Sequence, residues 1–344
     1  MPQLNKTTAR KVIKIAAISA AVPAAAFAGF TTISHAVFHR SNMATASEQY
    51  HWLKGTRKRM QEPLTWDNYI LSSADANEQR YSVPKALDFH FKMLGFRVPI
   101  EETEVAGAQV FCLNRHDIND RAVIYLHGGS FLSQPTSSHW HFIDTVARKT
   151  RAEFFVPLYP LAPVHHFEEA FSLVEQLYDK VVQKYGANNV TLMGDEAGGG
   201  LAAGFAEYLA AEGKPQPANL ILISPWVDLS LGNPLVNELQ PKDPILSAYG
   251  MRKVGKLWAN GLDLNDYRLS PVNGEVRSLR NVLVFAGTRE ILYPDARLFC
   301  DRARAAGVHA EFVAGRGLNN NFPLDPLPEA TKAIEKISDA ISLD

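Results

Sequence analysis

The residues best placed for chemistry are Gly194-Asp195-Glu196-Ala197-Gly198, directly after an apolar run and directly before a helical pattern over residues 199–212. A strand-to-helix turn with glycine two residues to either side of a central residue is the frame of a nucleophile elbow, a tight and strained turn that pushes the central side chain out. Gly194 and Gly198 let the strand and helix backbones approach at a distance no Cβ permits. The central residue is Glu196, so a carboxylate stands where acyl-transfer chemistry would need a hydroxyl. A second feature, His127-Gly128-Gly129, closes an earlier apolar run. Backbone N–H groups freed by its glycines can point at a developing oxyanion alongside the N–H of Ala197.

Elements that could hold these turns follow from the pattern along the chain. Short apolar runs alternate with helical periods from about residue 85, which is how a parallel sheet covered by helices is written. Strands are expected at 122–126, 153–157, 190–193, 220–223, 282–286 and 311–313, and helices at 142–149 and around Ala170, Leu173, Val174, Leu177 and Val181. Residues 231–267, with Pro234, Pro241, Pro244 and a helical piece at 251–258, read as an insertion covering the site. The 344 residues, 46% hydrophobic, suffice for one large α/β domain with an N-terminal appendage. Lys+Arg 35 against Asp+Glu 36 leaves no electrostatic footprint for nucleic acid. Cys112 and Cys300 make neither a disulfide framework nor a zinc cluster and read as small hydrophobes on a strand and a helix.

Together with Tyr159-Pro160-Leu161-Ala162-Pro163, Ser224-Pro225-Trp226, Gly287-Thr288 and Gly317, the two glycine turns give the chain a specific likeness. Over residues 81–341 it resembles the hormone-sensitive-lipase family of α/β hydrolases, in its bacterial esterase branch. The resemblance implies an α/β-hydrolase fold, with a mostly parallel eight-stranded sheet, helices on both faces and a small helical cap. It also implies a triad in the order nucleophile, acid, histidine. Glu290 then takes the acid position, Asn320 the histidine position and Glu196 the nucleophile position, while Gly128, Gly129 and Ala197 form the oxyanion hole. Ser130 departs from the third glycine that many members carry. An amide has no nitrogen that titrates near neutral pH, so Asn320 cannot serve as general base. The chain keeps the oxyanion frame and the acid and lacks both residues that carry acyl transfer.

Other residues do not replace them. The resemblance implies a structural place for His127 in the oxyanion loop, and the pairs His139/His141 and His165/His166 lack carboxylates at ligand spacing, so no metal site and no cofactor is read. Ser133, Ser137 and Ser138 read as loop or helix-cap residues. A carboxylate can itself be a covalent nucleophile, as Asp is at the elbow of related folds. The ester so formed would still need a base to activate water. The expected outcome is a catalytically impaired hydrolase relative that binds an acyl- or ester-like small molecule; the alternative is a carboxylic ester hydrolase, esterase or lipase, active by an altered mechanism or in an unreplaced Ser-His-Glu form. Glu196 is expected to accept hydrogen bonds from N–H groups near Gly128, Gly129 and Ala197, and Glu196 and Glu290 to share a proton, through Asn320 or on one of them.

The N-terminus carries a separate signal. Lys6, Arg10, Lys11 and Lys14 precede an uncharged stretch at 15–38. At ~1.5 Å per helical residue it is long enough for a bilayer core of roughly 30 Å. Residues 1–40 therefore read as a membrane anchor or, with Ala26-Phe27-Ala28 as a cleavage site, as a signal peptide removed after Ala28. Either places the rest of the chain on the extracytoplasmic side. Residues 41–84 read as a helical lead-in to the domain at 85–344.

Overall fold

The structure, a computed structural model, describes residues 67, 70, 71, 73, 95–116 and 118–342. Eight strands form one sheet: β1 (Ile100–Val105), β2 (Ala108–Leu113), β3 (Ala122–Leu126), β4 (Glu153–Pro157), β5 (Val190–Asp195), β6 (Asn219–Ile223), β7 (Asn281–Gly287) and β8 (His309–Gly315). Their spatial order is β1-β2-β4-β3-β5-β6-β7-β8. β2 runs antiparallel to both its neighbours, and every pair from β4 to β8 is parallel. All five residues of β3 are buried, as they must be when helices cover both faces of a sheet. The expected strands are all present. β1 and β2 complete the sheet.

Seven helices are described: α1 (Ser137–Thr150), α2 (Phe167–Tyr185), α3 (Glu196–Ala211), α4 (Leu235–Leu239), α5 (Ala248–Ala259), α6 (Tyr293–Ala305) and α7 (Pro328–Ser342). α2 shows how such a helix is specified: Phe167, Ala170, Phe171, Val174, Leu177, Tyr178 and Val181 form one buried stripe, and Gly186, at φ 76°, ends it. α1 starts at Ser137, earlier than the apolar period suggests, because its first turn is polar. α3 starts at Glu196 itself rather than at residue 199. The insertion at 231–267 carries α4 and α5, and Asp67, Ile70, Leu71 and Ser73 of the expected lead-in are helical.

Residues 1–40 lie outside the described residues, and with them the anchor or signal reading. Among the described residues no helix is long and apolar enough to cross a membrane.

Sheet register brings the site together. Gly194 pairs with Leu126 on one side and with Leu222 on the other, so the chain leaves β3, β5 and β6 at one level. Farther along, Ile223 pairs with Phe285 and Gly287 with Gly315, which puts the loops after β6, β7 and β8 side by side.

One buried group on α3 is unrelated to that edge. Both carboxyl oxygens of Glu207 are buried and unpartnered, and burial pushes its pKa up to about 9, with Arg302 acting in the opposite direction. A carboxyl raised from 4.5 in the unfolded chain stabilises the fold fully below that value and loses the contribution as pH climbs toward 9. Glu207→Gln should therefore remove a stability slope of about 1.4 kcal/mol per pH unit across that window. Urea midpoints at several pH values check this, and parallel curves for the two proteins would count against a protonated Glu207.

Candidate active site

The elbow is present as a strained turn. Glu196 has φ 47°, the left-handed region that costs a non-glycine residue on the order of 1–3 kcal/mol. A Cβ on Gly198 would collide with the backbone carbonyls of Leu126 and His127, so glycine is required where α3 passes the end of β3. Gly128 is equally constrained, because a Cβ there would strike the carboxylate of Asp195.

Held by this turn, the buried Glu196 carboxylate lies against the loop after β3. Its Oε2 accepts from the N–H of Gly129 at 2.8 Å and of Ser130 at 3.2 Å, and its Oε1 accepts from the Ser130 hydroxyl at 2.5 Å. Two of the three expected donors are thus corrected. Gly128 donates its N–H to Asp195 Oδ1 at 2.8 Å instead, and Ser130 supplies two of the three bonds. No bond from Ala197 to this carboxylate is formed among the described residues. Burial pushes the Glu196 pKa up, against the lowering effect of the Ser130 and Gly129 donors.

Asp195, fully buried, is the hub that sequence reading passed over. It accepts from Tyr125 Oη at 2.6 Å, Gly128 N at 2.8 Å and Asn321 Nδ2 at 2.7 Å, with His139 Nε2 at 3.2 Å. Burial alone would raise its pKa, but His139 and these donors hold it below the ordinary value. His139 is fixed as well: its Nδ1 accepts from the Thr136 N–H at 3.0 Å, which leaves Nε2 to donate to Asp195.

Glu290, in the loop after β7, is fully buried and accepts the Ser224 hydroxyl at 2.9 Å. Burial pushes its pKa well above the carboxylate range despite that bond, and the charges of Asp243 and Glu196 push the same way. Of the two facing carboxyls, Glu290 is the one positioned to carry a proton. The link from it to the elbow does not run through Asn320, whose buried Nδ2 has no partner. Ser224 and Asn321 form it instead, since Asn321 donates its N–H to Ser224 Oγ at 2.9 Å and its amide to Asp195. The loop carrying Asn320 is tied to the acid loop by Arg289 N to Leu318 O and by Gly317 N to Thr288 Oγ1. Glu196, Glu290 and Asn320 therefore converge at the carboxyl ends of β5, β7 and β8, with Ser224 between them at the end of β6.

The other candidates are engaged elsewhere. His127 stacks on Tyr159 at 4.3 Å and bonds the Gly128 carbonyl, and burial pushes its pKa down to about 4, so it is neutral. His141 bonds Ser137 O, His165 bonds Glu169 and His166 bonds Leu257 O. Burial pushes the Cys112 and Cys300 thiols up to about 11, which keeps them protonated.

Comparison with known proteins agrees with this architecture. A family model described as the alpha/beta hydrolase fold matches residues 123–324, more than half of the chain. The chain belongs to the α/β-hydrolase fold family. An esterase of Acinetobacter venetianus is 29% identical over 252 residues, covering 72% of this chain and 83% of that protein. A Staphylococcus aureus crystal structure assigned as an esterase is 32% identical with a TM-score of 0.76, covering 82% of this chain and 94% of the other. A hormone-sensitive lipase from a metagenome library, 23% identical with a TM-score of 0.74 over 87% of this chain and 98% of its own, shares the fold. This α/β hydrolase is thus of esterase and lipase lineage, with a carboxylate at its elbow.

Proposed function

We propose that this α/β hydrolase is catalytically silent toward esters by the serine–histidine route and serves as a binding protein for an acyl- or ester-like small molecule. One observation carries the reading: the Glu196 carboxylate takes the Gly129 and Ser130 donors that an ester oxyanion would need. A substrate carbonyl approaching the elbow meets a negative group instead of free N–H groups, and no hydroxyl stands there to attack it. Asn320 offers no base, and both ring nitrogens of His139 are committed. The ligand is accordingly held by its acyl or alcohol portion. On the same reading, residues 15–38 carry the domain to the extracytoplasmic side, which cell fractionation of the full chain tests: a cytosolic protein would remove this part of the proposal.

A fluorophosphonate probe tests the silence directly. Intact-mass analysis should show no stoichiometric adduct on the wild-type protein, and aryl-ester assays should show no burst. A stoichiometric adduct on Ser130, Ser133 or any other serine, lost on its replacement by alanine together with turnover, would overturn the reading.

A further inference from the structure

We infer that Gly129 N, Ser130 N and Ser130 Oγ form a carboxylate-binding site which Glu196 occupies in cis, so that a free carboxylate gains it only when the Glu196 side chain is removed or displaced. The inference concerns the site of the proposed function and rests on its Glu196 geometry, but not on the chain's silence toward esters.

The donors are arranged for this group and not merely near it. Gly129, Ser130 and Phe131 have φ of 119°, 53° and 56°, so the chain holds two consecutive non-glycine residues in the left-handed region. This strained loop sets the successive N–H groups of Gly129 and Ser130 side by side, facing one acceptor. Both converge on the same oxygen, Glu196 Oε2, and the Ser130 hydroxyl takes the other. Each carboxylate oxygen is therefore bonded, and the bonds come from a loop 66 residues distant in sequence. A glycine at position 130 would leave Oε1 without its hydroxyl donor. Ser130 and Glu196 fit one another, so the carboxylate is an organised partner of the loop after β3 rather than an accident at the elbow. Tethering gives the cis carboxylate a large effective concentration, so millimolar free carboxylate does not compete with it. A native ligand bearing a carboxylate pays for entry by displacing Glu196.

Removal of the tether exposes the site to small probes. In Glu196→Ala and Glu196→Gly, sodium formate or acetate should raise the melting temperature saturably relative to sodium chloride at equal ionic strength. The wild type and Glu196→Gln, which keep a side chain in place, should not respond. Adding Ser130→Gly to Glu196→Ala should weaken the response by about tenfold, the loss expected for one hydrogen bond to a charged group. A folded Glu196→Ala or Glu196→Gly protein indifferent to both anions, or a response unchanged by Ser130→Gly, would overturn the inference.

A second arm leaves Glu196 intact. Ser130→Ala should cost more stability at the alkaline end of the range in which the protein stays folded than at its acid end, because the hydroxyl donates to the ionised carboxylate, whose pKa burial raises. Asp195, Glu290 and Tyr159 also face Glu196 electrostatically, and all three are present in both proteins, so the difference isolates this bond. Equal losses at the two pH values would count against the site even if neither Glu196 truncation folds. Neither arm measures ester turnover, so its failure is distinct from failure of the proposed silence.

Discussion

Glu196→Ser combined with Asn320→His should raise turnover of short-chain aryl esters by about three to six orders of magnitude over the wild type, the span by which loss of such residues lowers acyl transfer. The pieces that the two substitutions need are in place. The elbow keeps its strained backbone, so a serine there would be presented as Glu196 is now. Shortening the side chain releases Gly129 N and Ser130 N for the oxyanion. At the other end, Glu290 Oε1 and Asn320 Nδ2 are both buried and unpartnered, and the loops carrying them are bonded to each other. An imidazole at position 320 would supply a donor for Glu290 and, on protonation, a cation that lets Glu290 ionise. Each single substitution should gain little, because nucleophile and base act as one unit. Steady-state kinetics with p-nitrophenyl acetate and butyrate, with phosphonate labelling mapped to position 196, provide the measurement. A folded double variant that neither turns over nor labels there would show that the loop after β8 no longer reaches the elbow.

Replacing Asp195 should cost the fold more than any change at Glu196. Asp195→Ala strands the donors of Tyr125, Gly128, His139 and Asn321 in a fully buried location. An unmet buried donor costs about 1–3 kcal/mol, and partial relaxation around the small alanine brings the expected total to about 3–5 kcal/mol. Asp195→Asn, which keeps one acceptor oxygen, should lose about half as much. The loss should also free the Gly128 end of the oxyanion loop and raise hydrogen exchange there. Urea unfolding of the three proteins decides it: a loss below about 1 kcal/mol for the alanine variant would mean that Asp195 does not organise this end of the sheet.

Reading and structure agree wherever local rules are sufficient. β3 and β4 fall on the expected boundaries because both are short apolar runs buried on each face. β1 escaped notice because IEETEV is an edge strand with four of its six residues exposed, so it carries no apolar signal. α3 begins three residues before the helical pattern because the elbow places Glu196 and two glycines in its first turn.

The frame is written in the chain's own residues: glycine spacing at 194 and 198, the strand-and-helix rhythm, the carboxylate at the elbow, and the amide and acid in the loops after β8 and β7. Such features depend on residues within a few positions of one another, where periodicity and the absence of a Cβ are decisive. Which neighbour makes each bond depends on how the loops fold against one another. Ser130 rather than Gly128 holds Glu196, and Asn321 rather than Asn320 joins the elbow to Ser224, choices that change within one or two steps along the chain. Those bonds connect residues 66 to 126 positions apart. Hydrogen bonds tolerate only a few tenths of an ångström, so such pairs are settled by where the sheet register sets each loop and not by the residue types within it.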